Sequence, residues 1–550
     1  MSQSGERRCL NVNVGVLGHV DSGKTSLVAA LSTVLSTAAL DKHPQSKERG
    51  ITLDLGFSAF IVPLPEHLSK LSYDSLQFTL VDCPGHASLI RTIIGGAHIM
   101  DLVLLVIDIT KGIQVQTAEC LVVGEITTQQ MVVVLNKIDM LDEADRDRAI
   151  RKAKKHLSQT FKMTKFAASK MIPVSAKPGG DGEPVGVHAV AEELVSMVKS
   201  PPPRRQGPFL FAIDHCFQIK GHGTILTGTA LQGDVKVNDM IEIPHLKEKR
   251  KIKSMQTFKR NVDRLTAGDR AGICVPGLDA SKIERGLAAV PQTVPTFKGA
   301  IAWLDKVRFY SGNVASNSKF HVTVGHTTVM ATVSFFGFPD GGRESQQGAM
   351  QLVLGRLNRI AAKKPPPAFD YGKEYEHQDE LHGMESNPKS VRFGNQFALL
   401  NFELPLTAPS DSVLIGARLD ADLESSSCRL AFYGQVMSLI DTDDKAALKI
   451  LKIFKWKNRQ GVIERLNPDK TTAICKSMFK KETDLSVFVG MKVTALGTGD
   501  EGKIEGSFGG GGKFRVYFEN GLQAAWEADK RLDLKFKRFI FDTSKKTPRQ

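Results

Sequence analysis

The sequence predicts a multidomain chain: an α/β domain, two β-barrel domains, then a small, basic, β-rich C-terminal domain. Three textures predict it. From Asn11 to about Lys199, β-branched runs alternate with good helix formers, as in a mostly parallel sheet covered by helices. Beyond a proline-rich break come short alternating runs punctuated by glycine, the texture of antiparallel barrels. From about Leu439, lysine crowds the strands. The chain's 550 residues are enough for several cores.

The first domain is expected over 1–199, with strands at Val12–Leu17, Phe78–Val81, Leu102–Asp108 and Met131–Asn136. Its most apolar stretch, Ile99–Ile109, is broken by Asp101 and Asp108 and is too short to span a bilayer, so it reads as a buried parallel strand. The run Ser200-Pro201-Pro202-Pro203-Arg204-Arg205 then reads as a stiff linker. A first barrel is expected over 208–295, from runs such as Phe209–Ile213, Gly223–Thr229 and Ala271–Val275. A second follows over 296–436, with strands at Lys319–Gly325, Val329–Phe336, Gln396–Phe402 and Ser412–Leu419. Within it, 363–390 is rich in Pro, Glu and His and poor in aliphatics, which predicts a long mobile insertion. The last domain, 437–550, ends in a glycine-rich hairpin at Phe508–Lys513.

A formal charge of +14 points to a polyanionic partner, RNA or DNA before membrane. None of the seven cysteines falls in C-x-x-C spacing, which argues for reduced thiols and against a zinc site or disulfide framework. The start, Met1 to Arg8, is polar and lacks the apolar core of a secretory signal. The cytoplasm is therefore the expected compartment, with the nucleus as a second.

The chemistry begins at Gly18-His19-Val20-Asp21-Ser22-Gly23-Lys24-Thr25, a G-x-x-x-x-G-K-T loop between an apolar strand and a helix that opens at Ser26. Backbone N–H groups and the helix dipole converge there on phosphate. Lys24 is placed to reach the β- and γ-phosphates, and the Thr25 hydroxyl to ligate Mg²⁺.

Asn136-Lys137-Ile138-Asp139 selects the base. At the C-terminal end of its strand, the Asp139 carboxylate can accept from guanine N1–H and the 2-amino group together. Adenine lacks both donors and would leave that carboxylate unpaired. Lys137 can cover the base, Asn136 can tie this loop to the phosphate loop, and Ser175-Ala176-Lys177 can offer a backbone N–H to guanine O6. The first domain is thus expected to be a P-loop GTPase domain binding GTP and GDP.

In Asp82-Cys83-Pro84-Gly85-His86, Asp82 is expected to hold Mg²⁺ through water and the Gly85 N–H to meet the γ-phosphate. Thr52, in Glu48-Arg49-Gly50-Ile51-Thr52, offers a second hydroxyl to the metal only while that phosphate is present, an order–disorder switch. His86 stands where other GTPases place a water-orienting glutamine.

Together, Gly-His-Val-Asp-Ser-Gly-Lys-Thr, Arg-Gly-Ile-Thr and Asp-Cys-Pro-Gly-His resemble the translational GTPases, the group that includes elongation factor Tu. The stretch Lys220–Thr229 is similar to the strand pair that marks that group's second domain. Arg49–Phe57, Thr110-Lys111-Gly112-Ile113-Gln114 and Arg418-Leu419-Asp420-Ala421-Asp422 resemble the selenocysteine-specific elongation factors in particular. So does a fourth, basic domain carrying Phe479-Lys480-Lys481-Glu482-Thr483.

The resemblance implies an apolar gate of Val20 and Ile51 in front of His86, and a monovalent cation at Asp21. It implies a selenocysteine pocket in which Arg285 pairs with the selenolate and His215 adds a donor. Asp214 would hold His215 or the α-amino group. The implied partners are selenocysteinyl-tRNA, the ribosome, and the selenocysteine-insertion mRNA element through an RNA-binding adaptor protein. No membrane is implied, and a monomer is expected. Two rivals are an initiation-factor γ-type GTPase that delivers a tRNA and a nucleotide-regulated RNA-binding scaffold.

Overall fold

The computed structural model describes residues 9–32, 34–35, 55–84, 92, 94, 98–162, 164–219, 221, 223–338, 346–383, 396–420, 428–509 and 511–541. The chain forms two compact units. The first holds three domains.

The opening domain is a seven-stranded sheet in the order β2(Val34–Leu35), β3(Gly56–Pro63), β4(Ser75–Asp82), β1(Cys9–Leu17), β5(Leu102–Asp108), β6(Gln130–Asn136), β7(Met171–Pro173). From β4 to β7 all neighbours run parallel, whereas β2, β3 and β4 pair antiparallel. Every residue of β5 is buried, because helices cover both faces. Alternation sends Val103, Leu105 and Ile107 toward α2(Val115–Thr127). Leu102, Leu104 and Val106 face the opposite cluster with α1(Lys24–Leu31) and α4(Val187–Met197). A further helix, α3(Arg146–Phe161), buries only Leu157 and Phe161 and turns a row of Arg and Lys outward.

The second domain is an eight-stranded antiparallel sheet. Its order is β12(Glu248–Lys251), β11(Met240–Ile243), β17(Gly286–Ala289), β8(Leu210–Ile219), β9(Gly223–Gln232), β16(Arg270–Val275), β13(Ser254–Thr257), β14(Arg260–Val262). A ribbon of β10(Asp234–Lys236) and β15(Arg264–Thr266) completes it. Ile241, Phe211, Leu226, Ile273 and Met255, from strands across the whole sheet, share one core, so the sheet curls around it.

The third domain closes fully. Its ring runs β19(Ser318–Val324), β23(Val413–Ala417), β24(Leu430–Leu439), β18(Thr296–Lys306), β22(Gln396–Thr407), β20(Thr327–Gly337) and back to β19. Between β20 and β22 the chain forms α5(Gln346–Ala361), which packs on α2 with Gln129 Nε2 donating to Asn358 O at 2.9 Å.

The second unit gathers Asp441–Gln550 with two earlier pieces, Phe335–Gly341 and Asp370–Asp379. After the short α6(Lys445–Lys449) it forms a closed six-stranded barrel. The ring is β25(Ile453–Leu466), β26(Thr472–Lys476), β29(Phe514–Tyr517), β28(Glu501–Ser507), β27(Lys492–Ala495), β30(Arg531–Phe539). An extra strand, β21(Tyr375–Gln378), pairs parallel to β25 and antiparallel to the last residues of β20.

That strand corrects one expectation. Residues 363–383 are not a mobile insertion: Lys363 is ion-paired, Phe369 and Leu381 are buried, and Tyr375 is 1% exposed with its hydroxyl donating to Asp370 O. Residues 384–390 lie outside the described residues. The segment is poor in aliphatics, but its aromatics anchor it. No helix among the described residues is long and apolar enough to cross a membrane.

Candidate functional site

The phosphate loop leaves β1 where the strand order reverses, between β4 and β5, the crevice in which α/β sheets hold ligands. Its path needs left-handed backbone at Asp21 (φ 59°) and Gly23 (φ 88°). At Gly23 a Cβ would come within 2.2 Å of Asn136 Nδ2, so glycine is required by both φ and contact. Ser22 and Lys24 are buried, and Lys24 Nζ donates to His19 O at 2.8 Å. Burial pulls the Lys24 ammonium below its ordinary value, and Asp82 opposes that shift. Thr25 Oγ1 donates to Asp82 Oδ2 at 2.7 Å, bringing the two described Mg²⁺ candidates together.

The base-reading loops are knotted by one side chain. Asn136 Nδ2 donates to Ser22 O (2.8 Å), and its Oδ1 accepts from Ala176 N (3.0 Å). One buried amide thus joins the phosphate loop, the Asn136–Asp139 loop and the Ser175–Lys177 loop. Lys137 takes a left-handed conformation (φ 66°) and reaches Asp108 Oδ2 at 2.9 Å. Asp139 accepts from Ser175 Oγ and from Gly179 N at 3.3 Å. Burial raises the Asp139 carboxyl, but those hydrogen bonds outweigh it and leave the group below the ordinary carboxylate range. It is therefore an acceptor at neutral pH, as guanine reading requires.

Gly18, His19, Val20, Asp21 and Lys177 lie on the same loops, Asp21 solvent-exposed, and Ser26 lies in the first turn of α1. Ile51, Thr52, Gly85 and His86 lie outside the described residues.

Of the residues expected in the selenocysteine pocket, Asp214 lies at a bulge in β8, and its Oδ2 accepts from Arg270 Nη1 of β16, with both side chains buried. The Arg270 guanidinium carbon lies 3.0 Å from the centroid of the Phe57 ring, which comes from β3 of the first domain. Asp214 Oδ1 and Arg270 Nη2 are buried and have no hydrogen-bond partner among the described residues. Arg285 instead stands on the wall of a cavity between the first three domains. Sequence reasoning missed Arg270 because it sits 56 residues from Asp214, and only strand pairing through β9 brings them together.

Carboxylates also bolt the first domain to the linker and to the third domain. Asp101, 2% exposed, pairs with Arg204 of the linker and with Lys363 beyond α5. From α2, Glu119 takes Arg429 by both oxygens and Glu125 takes Arg308 likewise.

Comparison with known proteins extends this reading over the whole chain. The family model for the elongation factor Tu GTP binding domain matches residues 10–200, and that for elongation factor Tu domain 2 matches 223–288. The third domain of eukaryotic selenocysteine-specific elongation factors matches 301–434, and the eEFSec C-terminal RIFT domain matches 449–530. The mouse selenocysteine-specific elongation factor is 43% identical, the alignment covering 98% of this chain and 99% of that one. The Methanocaldococcus jannaschii factor of the same name is 38% identical over 59% of this chain and 66% of its own. In fold, the chain resembles elongation factor SelB of Methanococcus maripaludis in complex with a GTP analogue, with TM-score 0.69, 24% identity, and coverage of 97% and 99%. GTP-binding loops on a translational-GTPase scaffold, continued by the two domains particular to one branch of it, place this chain in the selenocysteine-specific elongation factor family.

Proposed function

We propose that the chain binds GTP and selenocysteinyl-tRNA, delivers that tRNA to the ribosome at recoded UGA codons, and hydrolyses GTP there. The observation that carries the tRNA part is the Asp214–Arg270 pair, buried beside Phe57 and left, among the described residues, with one unmatched acceptor and one unmatched donor. A buried polar atom without a partner costs stability, which a ligand of matching charge relieves. An α-ammonium suits Asp214 Oδ1 and a selenolate suits Arg270 Nη2, with His215 beside them on β8. A selenol is more acidic than a thiol, whose pKa is about 8.5, so it is largely anionic at neutral pH while serine is not. Size alone separates such side chains by only about 1–3 kcal/mol; an unmatched buried cation separates them further.

In the GTP site, Lys24 exchanges the His19 carbonyl for phosphate oxygens. Thr25 and Asp82, two hard oxygen donors already 2.7 Å apart, would hold Mg²⁺, Asp82 through water, with Thr52 offering a further hydroxyl. Bound there, the ion neutralises phosphate charge. Asp21 holds a monovalent cation, and His86 orients the attacking water behind Val20 and Ile51. The cytoplasm is the proposed site of action.

The C-terminal barrel supports an RNA partner, the selenocysteine-insertion element reached with an adaptor protein. On β25 and β30, Trp456 lies opposite Lys537, with Lys455, Lys457, Lys535 and Arg538 alongside. Lys535 Nζ sits 4.5 Å from the Trp456 ring centroid.

The test is protection of the aminoacyl ester. GTP-bound protein should shield selenocysteinyl-tRNA from deacylation better than seryl-tRNA. Arg270→Lys should keep GTP binding yet lose at least about tenfold of that preference, since a point charge replaces a planar fork. If Arg285→Ala removes the preference and Arg270→Lys does not, the pocket belongs to Arg285. Equal shielding of both tRNAs by the unaltered protein overturns the reading.

A further inference from the structure

A cavity of about 300 Å³ opens where the first three domains meet. That volume is at the small end of the ~300–1,000 Å³ typical of ligand sites. Its walls include none of Asp214, His215 and Arg270, although Asp214 is near enough to act on His326 of the wall, so the cavity neighbours the proposed aminoacyl pocket without sharing its residues. Three cations line it: Arg205 from the linker, Arg285 before β17 and Lys363 after α5. Three imidazoles join them, His98, His245 and His326, one from each domain. Among the described residues on its walls, none is acidic. Much of the remaining wall is aliphatic, with Leu231, Leu287, Ile360 and Val413.

Two of the three cations are paired with acids as the cavity stands. Arg205 donates to the Asp411 side chain and carbonyl, and Lys363 pairs with Asp101, neither acid lying on the wall. A guanidinium carries more N–H donors than Arg205's two contacts use. The histidines are kept neutral. Burial first, then His326, Arg205 and Lys363, draw the His98 imidazole down to about 3. Burial likewise lowers His326, with Asp214 opposing and Arg285 assisting. Neutral imidazoles beside fixed cations offer N–H donors without demanding a second counter-charge.

We infer that this cavity binds a small amphiphilic anion: a single carboxylate, sulfonate or phosphate group carried on an apolar body. The anionic group meets Arg205, Arg285 and Lys363, and the body fills the aliphatic part. Inorganic phosphate satisfies only the first half of that description, and a tRNA backbone phosphate satisfies no more of it. Because each domain contributes to the wall, an occupant touches all three and stabilises the arrangement seen here by mass action.

The probe is anilinonaphthalene sulfonate, titrated into the full chain loaded with GDP and followed by fluorescence and calorimetry. One saturable site per chain is expected. Leu231→Trp, which fills the cavity, should abolish it while GDP affinity stays unchanged. Arg285→Gln should weaken it at least about tenfold, the worth of a charge-assisted hydrogen bond, and Arg285→Lys should restore part of the loss. Neither millimolar inorganic phosphate nor deacylated tRNA should displace the dye. Several equivalent sites, or dye binding indifferent to both Leu231→Trp and Arg285→Gln, overturns the proposal. Full displacement by phosphate or by tRNA overturns it as well, because the site would then be a plain phosphate contact. GTP binding and ester protection are read separately, so this failure leaves the delivery reading untouched.

Discussion

Asp139 shows how one oxygen pair can be committed to the protein and to a ligand together. Ser175 Oγ and Gly179 N each hold one of its oxygens, which fixes the plane of the carboxylate and keeps it ionised. Asp139→Asn replaces one acceptor with an amide donor, so nucleotide preference should move from guanine toward xanthine, whose 2-oxo group accepts. Competition between GTP and XTP measures it, and an unchanged ranking would mean that Asp139 does not read the base. Asp101 is the structural counterpart. Burial raises its carboxyl, but Lys363 and Arg204 outweigh burial and hold it below the ordinary range. A carboxyl lowered in the folded state stabilises fully above its unfolded pKa, about 3.9, and loses that contribution as pH falls through the lowered value. Asp101→Asn should therefore destabilise the chain at pH 7 by about 3–5 kcal/mol, the cost of stranding buried cations. The gap from the unaltered protein, read by denaturant unfolding, should narrow in acid.

At the scale of elements, α2 is the piece that commits the nucleotide domain to the third domain. Its inner face supplies Cys120 and Val123 to the core, and its acids supply Glu119 and Glu125 to Arg429 and Arg308. Glu119 and Arg429 are 1% and 6% exposed, so the energetics follow the rule for buried pairs. Glu119→Gln alone should cost about 3–5 kcal/mol, whereas Glu119→Leu with Arg429→Met should recover most of it. Hydrogen exchange on α2 would report both, and equal protection in the single and double variants would show that the pair contributes nothing.

The same elements show what was legible in the sequence. The nucleotide loops were readable because each is a contiguous run, and so was the Asn136 tie to the phosphate loop; the structure adds the second bond of that amide, to Ala176 N. Contacts made across sequence were not readable: Glu119 and Arg429 stand 310 residues apart, and Asp214 meets Arg270 through an intervening strand. Tyr375 was hidden differently, because a window scored for aliphatics passes over a lone buried aromatic. The four-domain order was legible from texture alone, since strand-rich and helix-alternating segments differ over long windows.

For the whole molecule, the C-terminal barrel should confer RNA binding that weakens with salt by nearly one unit of slope per phosphate contact. A chain ending near residue 440 should keep GTP and tRNA binding and lose RNA-programmed delivery; full delivery without the barrel would remove that barrel from the mechanism. Such a truncation must also deal with β21, whose Tyr375 would lose its pairing with Ile453.

That borrowed strand also sets an order of events during synthesis. Tyr375 leaves the ribosome long before Ile453 and Phe539, the residues that complete the sheet around it. At roughly 5–20 residues per second, the wait is on the order of ten seconds or more. Through that interval Tyr375, against which Phe336 packs edge-on and Phe338 at a tilt in the finished protein, is part of a greasy cluster without its covering sheet. The nascent chain therefore exposes one short aromatic segment until the last barrel arrives to cover it.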